Sequence, residues 1–243
     1  MFGRLTARRA LLVLAIDTAL TACSAAVVDA SSEGATRALA VTVERRAKGH
    51  AERLAPMIDA LLREADTSIR ALDRVGVVVG PGGFAGVRVG LAFARALSLG
   101  GGPACVGVDS LRALAASAPP PPAPPPEDGF IAPIVDARRG QVYAALYDAA
   151  GRAAIDPFVA TPQEAADRLQ STAAGPLTLC GDGAGPIADL LEARRDATDI
   201  VDPVALAALA AAAPAPQAPP APLYLRPPDA RPAKAADLIF GAP

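Results

Sequence analysis

The segment with the strongest claim to chemistry is Gly80 to Leu97, GPGGFAGVRVGLAFARAL. A β-branched run leads into its glycine-rich turn, and a helical pattern leads out. Such a junction places unpaired N–H groups at the positive end of a helix, where phosphate can bind. Gly82 and Gly83 are therefore candidate phosphate contacts. No lysine follows the glycines at the place a P-loop needs, and a turn that merely needs glycine explains the residues equally well. Past the turn, Gly86, Gly90 and Ala94 recur every four residues on one helical face. The flat strip they make suits close packing on a sheet or a helix-pair interface with another protein.

Other chemistry finds fewer groups. His50 is the single histidine, so a histidine pair for metal is impossible. No Gly-x-Ser-x-Gly elbow occurs for a serine nucleophile. Cys23, Cys105 and Cys180 are odd in number, widely spaced and set among apolar residues, which fits reduced core thiols and a reducing compartment. Two polar clusters remain, Asp136-Ala137-Arg138-Arg139 and Tyr224-Leu225-Arg226-Pro227. Charges in turns are usually just solvated; if these act, Arg138 and its neighbours would contact phosphate or carboxylate. Arginine outnumbers lysine twenty-one to two, yet acidic residues bring the net charge to −2. The chain has no large positive field with which to hold nucleic acid unaided, so an RNA contact would be shared with a partner.

The elements that must carry these residues follow from periodicity. Three strand-like runs, Leu11 to Thr18, Cys23 to Asp29 and Thr36 to Glu44, are separated by short turns, which favours antiparallel neighbours. From His50 to Ala65, Leu54, Met57, Ile58, Leu61 and Leu62 recur at helical spacing. A strand at Val75 to Gly80, a helix at about Phe84 to Leu99 and a strand at Ala104 to Val108 imply parallel strands with crossover helices. An antiparallel meander joined to parallel units in one mixed sheet points to an α/β fold of the actin, Hsp70 and sugar-kinase group, with duplicated ribonuclease-H-like lobes. In that fold Asp17, ending the first strand, stands where a carboxylate serves magnesium or a phosphate-linked water. The phosphate turn there normally needs glycine and a hydroxyl residue, whereas this chain continues Thr18-Ala19-Leu20.

The expected organisation is an N-terminal lobe over residues 1–116, a proline-rich connector over 117–128 and a C-terminal lobe over 129–243. The second lobe opens with strands at Phe130 to Val135 and Gln141 to Tyr147. Helices are expected near Pro162 to Gln170, Ala184 to Arg194 and Pro203 to Ala213, around a strand at Leu177 to Cys180. Pro214 to Pro222 reads as a second tether, and the stretch after Pro227 as unstructured. Arg4, Arg8 and Arg9 ahead of Ala10 to Ile16, with Leu20-Thr21-Ala22-Cys23, imitate a lipoprotein export signal, but Asp17 interrupts the apolar run. A cytoplasmic protein without a membrane span is expected.

These segments resemble the TsaB/YeaZ family of bacterial accessory proteins in tRNA threonylcarbamoyladenosine synthesis. The resemblance rests on LAIDTALTACSAAVVD from Leu14, HAERLAPMIDALL from His50, the Gly80 block, VGVDSLRALA from Val106, IVDARRGQVYAALYD from Ile134 and PLYLRPPDARP from Pro222. The chain departs from it at Gly83 and Ala85, where the family usually carries serine and threonine. The resemblance implies a non-catalytic partner of the paralogous enzyme TsaD. With the ATPase TsaE, that complex transfers threonylcarbamoyl from its adenylate to the adenosine beside the anticodon of tRNAs that read ANN codons. It also implies no cofactor, and tRNA met through the complex. TsaD-like proteins bind metal through histidines after the strand equivalent to Ala104 to Val108; here Asp109 to Leu114 offers none.

On that basis the helices near His50 to Ala65 and Phe84 to Leu99 form the expected TsaD-docking pair. Leu54, Met57, Ile58, Leu61, Val87, Gly90, Leu91 and Ala94 are the expected contacts, and a homodimer through the same face is expected without the partner. The rival reading is an ATP-hydrolysing or phosphotransferring enzyme of the same fold, with Asp17, Gly82, Gly83 and Arg138 touching the nucleotide.

Overall fold

The computed structural model describes residues 10–30, 36–46, 48–119, 129–191 and 193–226. The first three strands are β1 (Leu11–Asp17), β2 (Ala22–Ala30) and β3 (Thr36–Arg45). They form the expected meander, with Leu11 opposite Ala30 and Asp17 opposite Ser24. Helix α1 (His50–Glu64) leads to β4 (Arg74–Val78), α2 (Phe84–Leu97), β5 (Ala104–Val108) and α3 (Ser110–Ser117). Both β4 and β5 run parallel to β1, giving the sheet order β3-β2-β1-β4-β5. β4 ends at Val78, short of the expected Gly80, whose φ of 99° lies outside strand geometry.

The second half repeats this plan. Strands β6 (Phe130–Arg138), β7 (Gln141–Asp148) and β8 (Ala153–Ala160) form an antiparallel meander. Helix α4 (Pro162–Thr172) starts on a capping box between Thr161 and Glu164. Then follow β9 (Leu177–Cys180), α5 (Gly185–Ala188), β10 (Arg194–Arg195) and α6 (Pro203–Ala212). With β9 parallel to β6 and β10 to β9, the order is β10-β9-β6-β7-β8, the topology of the first sheet again. The duplicated mixed sheets of the actin and sugar-kinase fold are thus present. The helix expected over Ala184 to Arg194 is reduced to the single turn of α5, because the chain must be extended again by Arg194 to pair with Thr178.

The layers explain the sequence pattern. Helices α1 and α2 cover one face of the first sheet through Leu14, Ile16, Val27, Leu54, Leu61 and Leu91. Helices α3 and α6 lie between the two sheets, where Val13, Val28, Leu114, Val135, Tyr147 and Leu206 share one core. Helix α4 covers the far face of the second sheet through Leu169, Leu146 and Leu179. Each such aliphatic side chain contributes on the order of 1.5–3 kcal/mol by leaving water. Helix α6 therefore packs on β1, β2 and β4, although the sequence boundary assigns it to the second lobe. Arg74 of β4 fixes it by donating to the carbonyl oxygen of Ala210 at 2.7 Å, and a Cβ on Gly76 would collide with the Ala210 Cβ at 2.6 Å.

Tyr147 joins the halves again, its hydroxyl donating to the Asp109 carboxylate that caps α3. Most of the expected 117–128 connector and everything from residue 227 lie outside the described residues. The stretch expected as a tether at Pro214 to Pro222 continues as a strap along the first lobe, where Leu223 N–H donates to the Val79 carbonyl at 2.8 Å. Among the described residues no helix is long and apolar enough to cross a membrane.

Candidate functional site

The turn between β1 and β2 lies on the glycine face of α2. Gly83 N–H donates to the Ala19 carbonyl at 2.8 Å, and the Thr18 hydroxyl donates to the Gly86 carbonyl at 2.7 Å. A Cβ on Gly82 would stand 2.4 Å from the Ala19 oxygen, and one on Gly90 would stand 2.5 Å from the Thr18 hydroxyl oxygen. The glycines are thus needed so that the chain's own turn can reach α2. At the turn itself, the Gly83 N–H that a phosphate could use is already donated to Ala19.

Beside this junction a cleft of about 590 Å³ opens between the halves. The first half lines it with Thr18 to Thr21, His50, Gly82, Gly83 and Phe84, and the second with Val135 to Arg138, Tyr143 and Asp182. Gly82, Gly83 and Arg138 are therefore brought together as the nucleotide reading expected. Asp17 is not among them. It is fully buried, its Oδ1 accepts the Ala19 N–H at 2.8 Å, and its Oδ2 has no partner. Burial pushes its pKa up to about 7, the Ala19 hydrogen bond opposing this. A carboxyl sealed in this way is poorly placed to bind magnesium in the cleft. Among the described residues no cluster of His, Cys, Asp and Glu could hold a metal ion.

Arg138 sits at the β6–β7 hairpin tip with φ of 61°, followed by Arg139 at 59° and Gly140 at 71°. Its guanidinium pairs with Asp136 at 2.9 Å, and Asp136 N–H in turn donates to the Asp182 carboxylate at 3.0 Å. Arg226 donates to the Ala137 carbonyl at 3.2 Å and to the Gln141 side chain. Two arginine clusters far apart in sequence thus share one corner of the molecule.

The expected partner contacts are all internal. Leu54, Met57, Ile58, Leu61, Val87, Leu91 and Ala94 are at most 3% exposed, and Gly90 is buried with them. They are the faces with which α1 and α2 grip their own sheet, so they must be withdrawn as surface contacts. The outward crest of α2 is instead Ala85, Ala92 and Ala96, and Pro56 and Ala60 are exposed on α1.

Sequence reasoning passed over Phe84 and took Tyr224 only as part of a polar cluster; the two rings stand 55% and 45% exposed. Their ring centroids are 5.6 Å apart, and the Arg88 guanidinium lies 3.7 Å from the Phe84 centroid. The available signal was an aromatic in the first helical turn after Gly83, ahead of the buried register.

The family model described as TsaD, tRNA N6-adenosine threonylcarbamoyltransferase, matches residues 40–177, more than half of the chain. A Bacillus subtilis protein named tRNA threonylcarbamoyladenosine biosynthesis protein TsaB is 39% identical over 100 residues, 41% of each chain. Its Escherichia coli namesake is 33% identical over 135 residues, 56% of this chain and 54% of the relative. The chain thus aligns with about half the length of these curated relatives or less. The solved structure of YeaZ from Pseudomonas aeruginosa superposes with a TM-score of 0.67 at 27% identity, covering 83% of this chain and 91% of that one.

Proposed function

The chain belongs to the TsaD family, in its TsaB/YeaZ group, and on that premise we propose that it is a non-catalytic subunit of a tRNA threonylcarbamoyl-transferring complex. Its direct partner is a TsaD-like paralogue, with a TsaE-like ATPase joining the assembly in the cytoplasm. The reaction served is transfer of threonylcarbamoyl from its adenylate to the adenosine beside the anticodon of ANN-reading tRNAs.

The observation that carries this reading is the junction of Ala19 with Gly83. In a catalytic member of the fold, phosphate must approach that backbone; here the carbonyl of a neighbouring turn is hydrogen-bonded in its place. What α1 and α2 do offer is an outward crest of Ala85, Ala92 and Ala96 beside Pro56 and Ala60. Small side chains let another helix pair approach closely, while Glu52, Asp59 and Arg63, exposed on the same face of α1, offer charges for the partner to match. The same face serves a homodimer when the paralogue is absent.

Replacing Ala92 by Glu puts a charge on the crest without touching the core. The variant should keep its melting temperature and lose co-elution with the TsaD-like paralogue; undiminished co-elution places the docking face elsewhere. The ATP-hydrolysing alternative draws its support from the 590 Å³ cleft shared by Gly82, Gly83 and Arg138. ATP turnover by the purified chain that disappears in Asp17→Asn would establish it instead.

A further inference from the structure

We propose that the 220–226 strap and the flank of α2 beside it, a strip that carries Arg95, Arg88, Phe84 and Tyr224 and ends at Arg226 on the β6–β7 hairpin, bind a single-stranded stretch of RNA directly. The proposal deepens the tRNA-modification reading above and rests on it for the identity of the RNA.

Three arginines succeed one another along the strap. Arg95 Nε donates to the Pro220 carbonyl at 3.0 Å, Arg88 Nε to the Tyr224 hydroxyl at 3.0 Å, and the half-buried Arg226 to the Ala137 carbonyl at 3.2 Å and to the Gln141 side-chain oxygen. All these acceptors are neutral. Among the described residues the ion pairs are made by other arginines, such as Arg45, Arg53, Arg138 and Arg152, and none of these three has a carboxylate partner. Each guanidinium is thus oriented but electrically uncompensated, with N–H groups left over for an anion. In a chain of net charge −2, three cations without ion-pair partners on one strip offer an anion a local site that the chain's net charge does not.

The same strip carries the exposed rings. Phe84 and Tyr224 are tilted by 31° to each other with Arg88 against Phe84, so the rings are held in place while 55% and 45% of their surface faces solvent. Oriented aromatic faces alternating with uncompensated arginines match the needs of unpaired nucleotides, whose bases stack and whose phosphates are anionic. Duplex RNA keeps its base faces hidden and gains only the charge term. A protein partner would have to bring carboxylates to three separate guanidiniums, which makes it the less economical occupant. The alanine crest of α2 lies beside this strip and stays available for the paralogue.

The test measures binding of an unmodified tRNA transcript to the complex with the paralogue. In parallel it measures a single-stranded oligonucleotide and its duplex on the full-length chain alone, across a salt series. The double variant Arg88→Gln, Arg226→Gln should bind tRNA at least about ten-fold more weakly, and its log K against log salt slope should fall by about 0.7 per charge removed. The Arg88→Lys, Arg226→Lys control should retain the slope. Tyr224→Leu should lose about ten-fold in affinity at unchanged slope, since it removes stacking and not charge. Melting temperature and co-elution with the paralogue report that each variant is folded and assembled. Native affinity in the Gln double variant overturns the proposal, as does duplex bound as tightly as single strand. Lost co-elution with tRNA binding intact also overturns it, because the strip then serves a protein. Since the oligonucleotide arm uses the chain alone, it reads the same whether or not the docking face has been placed correctly.

Discussion

The Thr18 hydroxyl is bonded to the Gly86 carbonyl at 2.7 Å, and the Thr18 carbonyl oxygen stands 1.9 Å from where a Cβ on residue 86 would be. No backbone contact that close survives a side chain, so the β1–β2 turn and α2 must separate if residue 86 becomes alanine. The higher helix propensity of alanine returns only about 1 kcal/mol, against overpacking of up to about 3 kcal/mol. Gly86→Ala should therefore lower the melting temperature by several degrees. Gly83→Ala should be close to neutral, because its Cβ meets the Ala19 oxygen at an ordinary 3.5 Å. Equal melting of the two variants would show that the turn is not seated on the helix in this way.

A second consequence concerns the residues that hydrophobicity first singled out on α1. Leu54 is 1% exposed and packs in the cluster with Leu14, Val27 and Leu61. Leu54→Ala should cost about 2–5 kcal/mol in denaturant unfolding, and Leu54→Glu should fail to fold, since a buried charge would have no partner. Loss of paralogue binding in either would then follow from instability. A Leu54→Glu protein that melts like the parent while failing to co-elute would return this residue to the surface.

These residues show where sequence reading succeeds and where it stops. The spacing of Leu54, Met57, Ile58 and Leu61 located α1 nearly to its ends, the short turn at Leu20-Thr21 marked the first hairpin, and the turn residues Asp136 to Gly140 marked the β6–β7 hairpin, although β6 runs on to Arg138 before the chain reverses. Periodicity records that one face is apolar but not what covers it, so a core face was mistaken for a docking face. Helix α3 escaped notice because eight residues hold barely two turns and SLRALAAS is largely alanine. β8 was missed because Asp156 and Pro157 break its alternation. In the site, the glycine turn was found from its spacing. The blockage by Ala19 could not be, since it depends on two segments more than sixty residues apart meeting in space.

Asp17 gives the clearest prediction of pH dependence. In the folded chain burial holds its pKa near 7, against an ordinary 3.8. Between about pH 4 and pH 7 the folded state keeps the proton while the unfolded chain has released it, so stability falls as pH rises through this window and levels off above it. The full shift corresponds to about 4 kcal/mol as an upper figure. Asp17→Asn keeps an oxygen to accept the Ala19 N–H but cannot ionise. Exposed carboxylates such as Asp148, held below their usual range chiefly by the Arg152 N–H, act in the opposite sense, losing stability as pH falls. They are common to both proteins and cancel in the comparison. Urea midpoints at pH 5 and pH 8 should therefore diverge: the Asn variant should gain on the parent at pH 8 by more than it does at pH 5. Parallel pH profiles for the two proteins would mean that Asp17 is already ionised in the native state, with water or a counter-ion reaching its Oδ2.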